Sequence, residues 1–171
     1  MSAAEFIDAI RGTELNSFFM ALPEGDKNKE VISHNAPFAE VKEELDQVNG
    51  SGTHGIFMCI NDVEGPRREA KNVTKVRALF IDIDDGRPLP AFAELKPSII
   101  VQSSTAGKWH AYWLCSDCTV ADFKAAQTQL ITYFNSDKAA KDPSRIMRVP
   151  GFYHHKNEPV MCSMLQCNPE L

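Results

Sequence analysis

The spacing of apolar positions changes period along the chain, and the change divides it into a helical opening and a strand-rich body. From Ala3 to Leu22, the residues Phe6, Ile7, Ile10, Leu15, Phe18, Phe19 and Leu22 recur at roughly helical intervals, which predicts one long amphipathic helix closed by Pro23-Glu24-Gly25. A second, charged helix is expected over Phe38 to Val48, ended by Asn49-Gly50 and Gly52. Gly55 to Ile60 then reads as a strand, Asn61 to Lys75 as a polar loop, and Arg77 to Asp84 as the clearest strand of the sequence. Asp85-Gly86-Arg87-Pro88 makes a turn. Ser98 to Gln102 and His110 to Cys115 make two further strands, Val120 to Phe134 a helix, and Pro159 to Leu165 a last strand.

Strands joined by short turns, with helices interspersed, predict an α+β fold: an antiparallel or mixed sheet covered by helices. The 171 residues are enough for one domain with its own core, and 43% hydrophobic with 24% charged residues fits a globular, soluble chain. No apolar run is long enough for a membrane span and no export signal stands at the N-terminus. With an odd count of five cysteines, this argues for reduced thiols in a cytosol. Cys115, Cys118, Cys162 and Cys167 leave open a zinc site, with small buried hydrophobes as the alternative. The net charge of −5 runs against nucleic-acid binding unless some carboxylates hold cations.

Three segments carry candidate chemistry. In Leu79-Phe80-Ile81-Asp82-Ile83-Asp84, strand alternation puts Ile81 and Ile83 toward the helices and Asp82 and Asp84 together on the other face. Their Cα atoms would be about 6–7 Å apart, a spacing that suits divalent ions sharing oxygen ligands. Asp85 belongs to the turn. In Gln102-Ser103-Ser104-Thr105-Ala106-Gly107-Lys108-Trp109-His110, a hydroxyl-rich loop with glycine brings backbone N–H groups toward phosphate oxygens, and Lys108 and His110 share one strand face. Trp109 and Trp113 take the opposite face, as core. In Lys141-Asp142-Pro143-Ser144-Arg145-Ile146-Met147-Arg148, Asp142 is either a helix N-cap or a third metal ligand, and a helical turn would set Arg145 and Arg148 on one side for phosphate recognition. Arg67, Arg68, Lys71 and Lys75 make a basic stretch suited to a nucleic-acid backbone.

Taken in order, these segments resemble the motifs of the archaeo-eukaryotic primase superfamily, in particular the RepB-like and primase-polymerase domains of phages and plasmids. The resemblance spans about residues 55–156. It implies an RNA-recognition-motif-like sheet with an N-terminal α/β unit, and a single catalytic domain over 1–171 that can precede a helicase. It implies two Mg²⁺ or Mn²⁺ ions held by Asp82, Asp84 and Asp142. It implies nucleotide contacts from His110, Arg145 and Arg148; Ser103, Ser104 and Lys108 join them, and Arg67, Arg68, Lys71 and Lys75 are candidates for DNA backbone contacts, by their own chemistry. Lys108 stands where the family often has serine. The implied activity is primer synthesis on single-stranded DNA from NTPs or dNTPs, in a bacterial or phage-infected cell. Two alternatives stand beside it. One is a rolling-circle endonuclease using Tyr153, His154 and His155, although neighbouring histidines on a strand face opposite ways. The other is a non-catalytic single-strand-binding module.

Overall fold

The computed structural model describes residues 2–25 and 28–171. Helix α1 covers Ala3–Ile10, started by a Ser2–Glu5 capping box. It stops far short of Leu22: Gly12 takes a left-handed φ of +93°, and Ser17–Pro23 forms strand β1. The helical reading of that stretch is thereby corrected. Ser-Phe-Phe-Met-Ala-Leu-Pro is apolar on both faces because the strand is central and buried, and such a short run has no period that separates strand from helix. Strand β2 (Ile32–Ala36) and helix α2 (Phe38–Gly50) follow, then β3 (His54–Cys59).

The polar stretch after β3 is more ordered than a loop: β4 (Asp62–Val63) and β5 (Val73–Lys75) pair as a small antiparallel ribbon. The remaining elements are β6 (Ala78–Ile83), β7 (Ile99–Gln102), β8 (Trp109–Leu114), α3 (Val120–Phe134), β9 (Ile146–Arg148), β10 (Tyr153–His154), β11 (Val160–Met161) and β12 (Ser163–Cys167). No helix among the described residues is long and apolar enough to cross a membrane.

Two antiparallel four-stranded sheets, ordered β2-β1-β3-β9 and β12-β7-β8-β6, enclose the main core, with β10 and β11 as a separate hairpin. Phe80 and Tyr112 of the second sheet meet Phe6 of α1 and Ile56 and Met58 of the first. The opposite face carries Ile81, Ile83 and Ala111 against Leu130 of α3, with Trp109 and Trp113 beside them, as alternation predicts.

β6 is an edge strand, and its free edge is covered. The fully buried Gln127 of α3 donates to Phe80 O and to Ala140 O and accepts from Phe80 N. Asn135 ends α3 in the left-handed conformation (φ +48°), turning the chain back so that Asp137 N donates to Asp82 O at 2.9 Å.

Candidate active site

Where the two sheets part, a cleft of about 330 Å³ opens between β6–β8 on one side and β3–β9 on the other. Asp82 and His110 are direct cross-strand partners on its floor. Asp82 is 9% exposed, and its Oδ1 lies 3.6 Å from His110 Nε2 without a hydrogen-bond partner among the described residues. Burial and the neighbouring Asp84 push its carboxyl up to about 6, opposed by Arg145. His110 is 4% exposed, and burial, then Arg148, pulls its ring down to about 3, so it is neutral at physiological pH. Asp84 stands just beyond the strand end, exposed, with Lys108 Nζ 3.3 Å from its Oδ1.

The loop between β7 and β8 is pinned by a glycine contact. Gly107 has φ +84°, and a Cβ there would fall 2.5 Å from Gly86 Cα. Gly86 N donates to Gly107 O, which ties the loop to the turn after β6 and sets Lys108 beside Asp84. Ser104 Oγ lies 2.6 Å from His154 Nδ1, joining the same loop to the β10 hairpin.

Asp142 does not join the acids. Its Oδ1 accepts from Ser144 N and Oγ at 2.9 Å, it does not line the cleft, and the charges acting on Asp82 are Asp84, Arg145 and Asp137. Nor is it a helix N-cap: it closes the short 3₁₀ turn Lys138–Lys141, and the chain after it leads into strand β9. Asp137 does not line the cleft either, but it is the acid that shares Arg145 with Asp82. Arg145 Nη2 lies 3.3 Å from Asp137 Oδ2 and 3.6 Å from Asp82 Oδ2. Among the described residues no three His, Cys, Asp or Glu side chains gather as a ready ion cage, whether from these acids or from the cysteines. The Arg145 guanidinium is shared by Asp82 and Asp137.

Arg145 and Arg148 both reach the cleft, Arg148 from β9 and Arg145 from the residue just before it, rather than from a helical turn. Arg148 stacks over Phe57 at 4.5 Å and pairs with Glu24 at 2.5 Å. Glu24 also accepts from His155 N and approaches His154 Nε2 at 3.5 Å. Four cationic side chains, Lys108, Arg145, Arg148 and Lys156, thus line the cleft with Asp82 and Asp84, so the site is basic although the chain is acidic. Arg67, Arg68, Lys71 and Lys75 lie outside it. Arg68 donates to Ser144 O, Lys71 pairs with Glu69, and Arg67 and Lys75 are exposed. Tyr153 points outward with its ring 6.0 Å from that of His155, while His154 turns into the cleft, so the three do not form a nucleophile and a metal pair.

The sequence profile of the RepB DNA-primase N-terminal domain matches residues 60–164, well over half of the chain and all the acids of the cleft. The chain belongs to that family. A search of curated proteins by sequence gave no match. Among solved structures, this primase-family domain resembles the archaeo-eukaryotic primase domain of the cyanophage S-2L primase-polymerase, with a TM-score of 0.77 at 19% identity over 97% of this chain and 91% of the other. It also resembles the primase RepB′ (TM-score 0.66, 16% identity, 98% of this chain and 57% of that one). The RepB′ catalytic domain in complex with initiator DNA matches as well (0.66, 14%, 99% and 87%). At these identities the likeness establishes the primase fold, an α+β design as expected from the sequence.

Asp137 and Glu24, which pair with Arg145 and Arg148 of the cleft, belong to none of the three sequence motifs. Asp137 sits five positions before Asp142 in a segment that offers either acid. Glu24 lies outside the family match, inside what reads as an ordinary Pro-Glu-Gly turn.

Proposed function

We propose that this domain is a metal-dependent nucleotidyltransferase that synthesises primers on single-stranded DNA during phage or plasmid replication. The observation that carries this is the buried Asp82 carboxylate. It has one unpartnered oxygen and a raised pKa, and it faces a neutral histidine in a cleft rimmed by cations. A buried acid in that state suits a divalent cation, which would replace missing partners and favour the ionised form. Asp82, Asp84 and Asp137 would hold Mg²⁺ or Mn²⁺. When bound, the ions supply charge neutralisation at the attacking 3′-hydroxyl and at the pyrophosphate leaving group.

The chain's own residues position the nucleotide. Lys108 and Arg148 attract the triphosphate, and His110 offers a hydrogen bond from the cleft floor. Ser103 and Ser104 shape the loop beside it. Arg145, now bridging Asp82 and Asp137, is free to turn toward phosphate once the acids are neutralised by ions. Arg67, Arg68, Lys71 and Lys75 are proposed to carry template backbone contacts. A helicase that exposes the template, in the same polypeptide or separate, is a natural companion for this activity.

The test is incubation with single-stranded DNA, labelled nucleotides and Mn²⁺. Wild-type protein should yield oligomers de novo, and Asp82→Ala with Asp84→Ala should yield none while keeping its circular dichroism spectrum. Metal-independent DNA binding with no incorporation by the wild type would favour a non-catalytic module instead.

A further inference from the structure

Tyr112 lies two residues beyond His110 on β8, on the same face. It is fully buried, packed against Phe6 and Phe80, and its hydroxyl meets His110 Nδ1 at 3.1 Å. Among the described residues that is the hydroxyl's one hydrogen bond. A phenol proton there has Nδ1 as its acceptor; if the hydroxyl accepted from Nδ1–H instead, its own proton would be buried and unpaired, which is costly. The other ring nitrogen points the same way. Nε2 lies 3.6 Å from Asp82 Oδ1, and a bare nitrogen lone pair facing a carboxylate oxygen would be repelled where an N–H would be attracted.

We propose that Tyr112 is a positioning residue that fixes His110 as the Nε2–H tautomer, so that a neutral N–H donor faces the cleft for a phosphate oxygen of the incoming nucleotide. The phosphate role rests on the function proposed above; the tautomer does not. A neutral donor holds a phosphate without adding positive charge beside the acids that would bind cations. Tyr112 thus acts from behind the site, through the hydrogen bond to the far side of the ring.

The experiment uses protein labelled with ¹⁵N-histidine and long-range ¹H–¹⁵N spectra, with His110 assigned by comparison with His110→Gln. Wild-type protein should show the Nε2–H signature for His110. A non-incorporable triphosphate analogue with Mg²⁺ should shift those resonances. Tyr112→Phe keeps the ring packing and loses only the hydroxyl, so its His110 should show mixed tautomers. Its KM for nucleotide should rise about three- to tenfold with kcat within about twofold, as expected for one lost hydrogen bond. An Nδ1–H signature in the wild type overturns the proposal while leaving primer synthesis intact, and this holds even if the phenylalanine variant fails to fold. His110 resonances untouched by the analogue overturn the phosphate role. An unchanged tautomer and KM in a folded Tyr112→Phe variant overturn the role of the tyrosine.

Discussion

Arg145 holds its Nη2 3.6 Å from Asp82 Oδ2, so a guanidinium stands beside the most buried acid of the cleft. It offsets only part of the cost of ionising Asp82, whose carboxyl still rises from 3.8 to about 6. Such an acid destabilises the fold when charged. Below about pH 4 it is protonated in both folded and unfolded chains and contributes nothing. Between about pH 4 and 6 the unfolded chain ionises first, so stability falls as pH rises. Above that range the penalty is complete, ~3 kcal/mol at most. Asp82→Asn should therefore melt several degrees higher than wild type at pH 8 in EDTA, at about 2–4 °C per kcal/mol, and no higher at pH 4. The same variant should make no primers. Thermal melts across pH check the first expectation and the oligomer assay the second.

Asp137 and Asp142 should separate cleanly. Asp137→Asn removes a carboxylate that shares Arg145 with Asp82, and should lower primer synthesis by about a hundredfold or more, in line with loss of a metal ligand. Asp142→Asn loses strength in the turn bonds to Ser144 N and Oγ and should cost ~1 kcal/mol of stability, with activity within about threefold. Steady-state kinetics and denaturant melts on both variants decide it.

Gln127 supports the site from α3. Gln127→Leu keeps the size of the side chain but strands Phe80 N and the carbonyls of Phe80 and Ala140. A loss of ~2–3 kcal/mol is expected, with activity falling further than stability because the segment that delivers Asp137 loses its anchor. Urea melts beside oligomer assays test both parts.

Gly107→Ala would drive a methyl group into the Gly86 backbone at a positive φ, so either the loop or the β6 turn must move. The expected result is a nucleotide KM raised about tenfold through displacement of Lys108, with stability reduced by ~1–3 kcal/mol. Kinetics with calorimetry check it.

The parts of the site that a strand's alternation dictates were legible in the sequence. Phe-Ile-Asp-Ile-Asp on β6 sorted its isoleucines into the core and Asp82 onto the cleft side, and Lys-Trp-His on β8 put Lys108 and His110 opposite Trp109. Val120–Phe134 matched the expected helix end to end, because its apolar positions are spaced for one buried face. Three features depend on closure of the chain in space and left no local mark. β1 is a buried central strand whose apolar run mimics half a helix. Asp137 is brought to Arg145 where Asn135 reverses the chain and Gln127 clamps the segment that follows. Glu24 acquires its role only when Arg148 and His155 arrive from more than a hundred residues away.

The central expectation is a divalent cation at Asp82, shared with Asp84 or Asp137, beside the phosphates. Crystals grown with Mn²⁺ and a non-incorporable nucleotide should show an anomalous scattering peak bonded to Asp82 and to Asp84 or Asp137, with Arg145 turned away from the acids toward the triphosphate. A manganese peak bonded to Asp142, or a nucleotide-bound structure with Arg145 still bridging Asp82 and Asp137 and no peak between them, would contradict it.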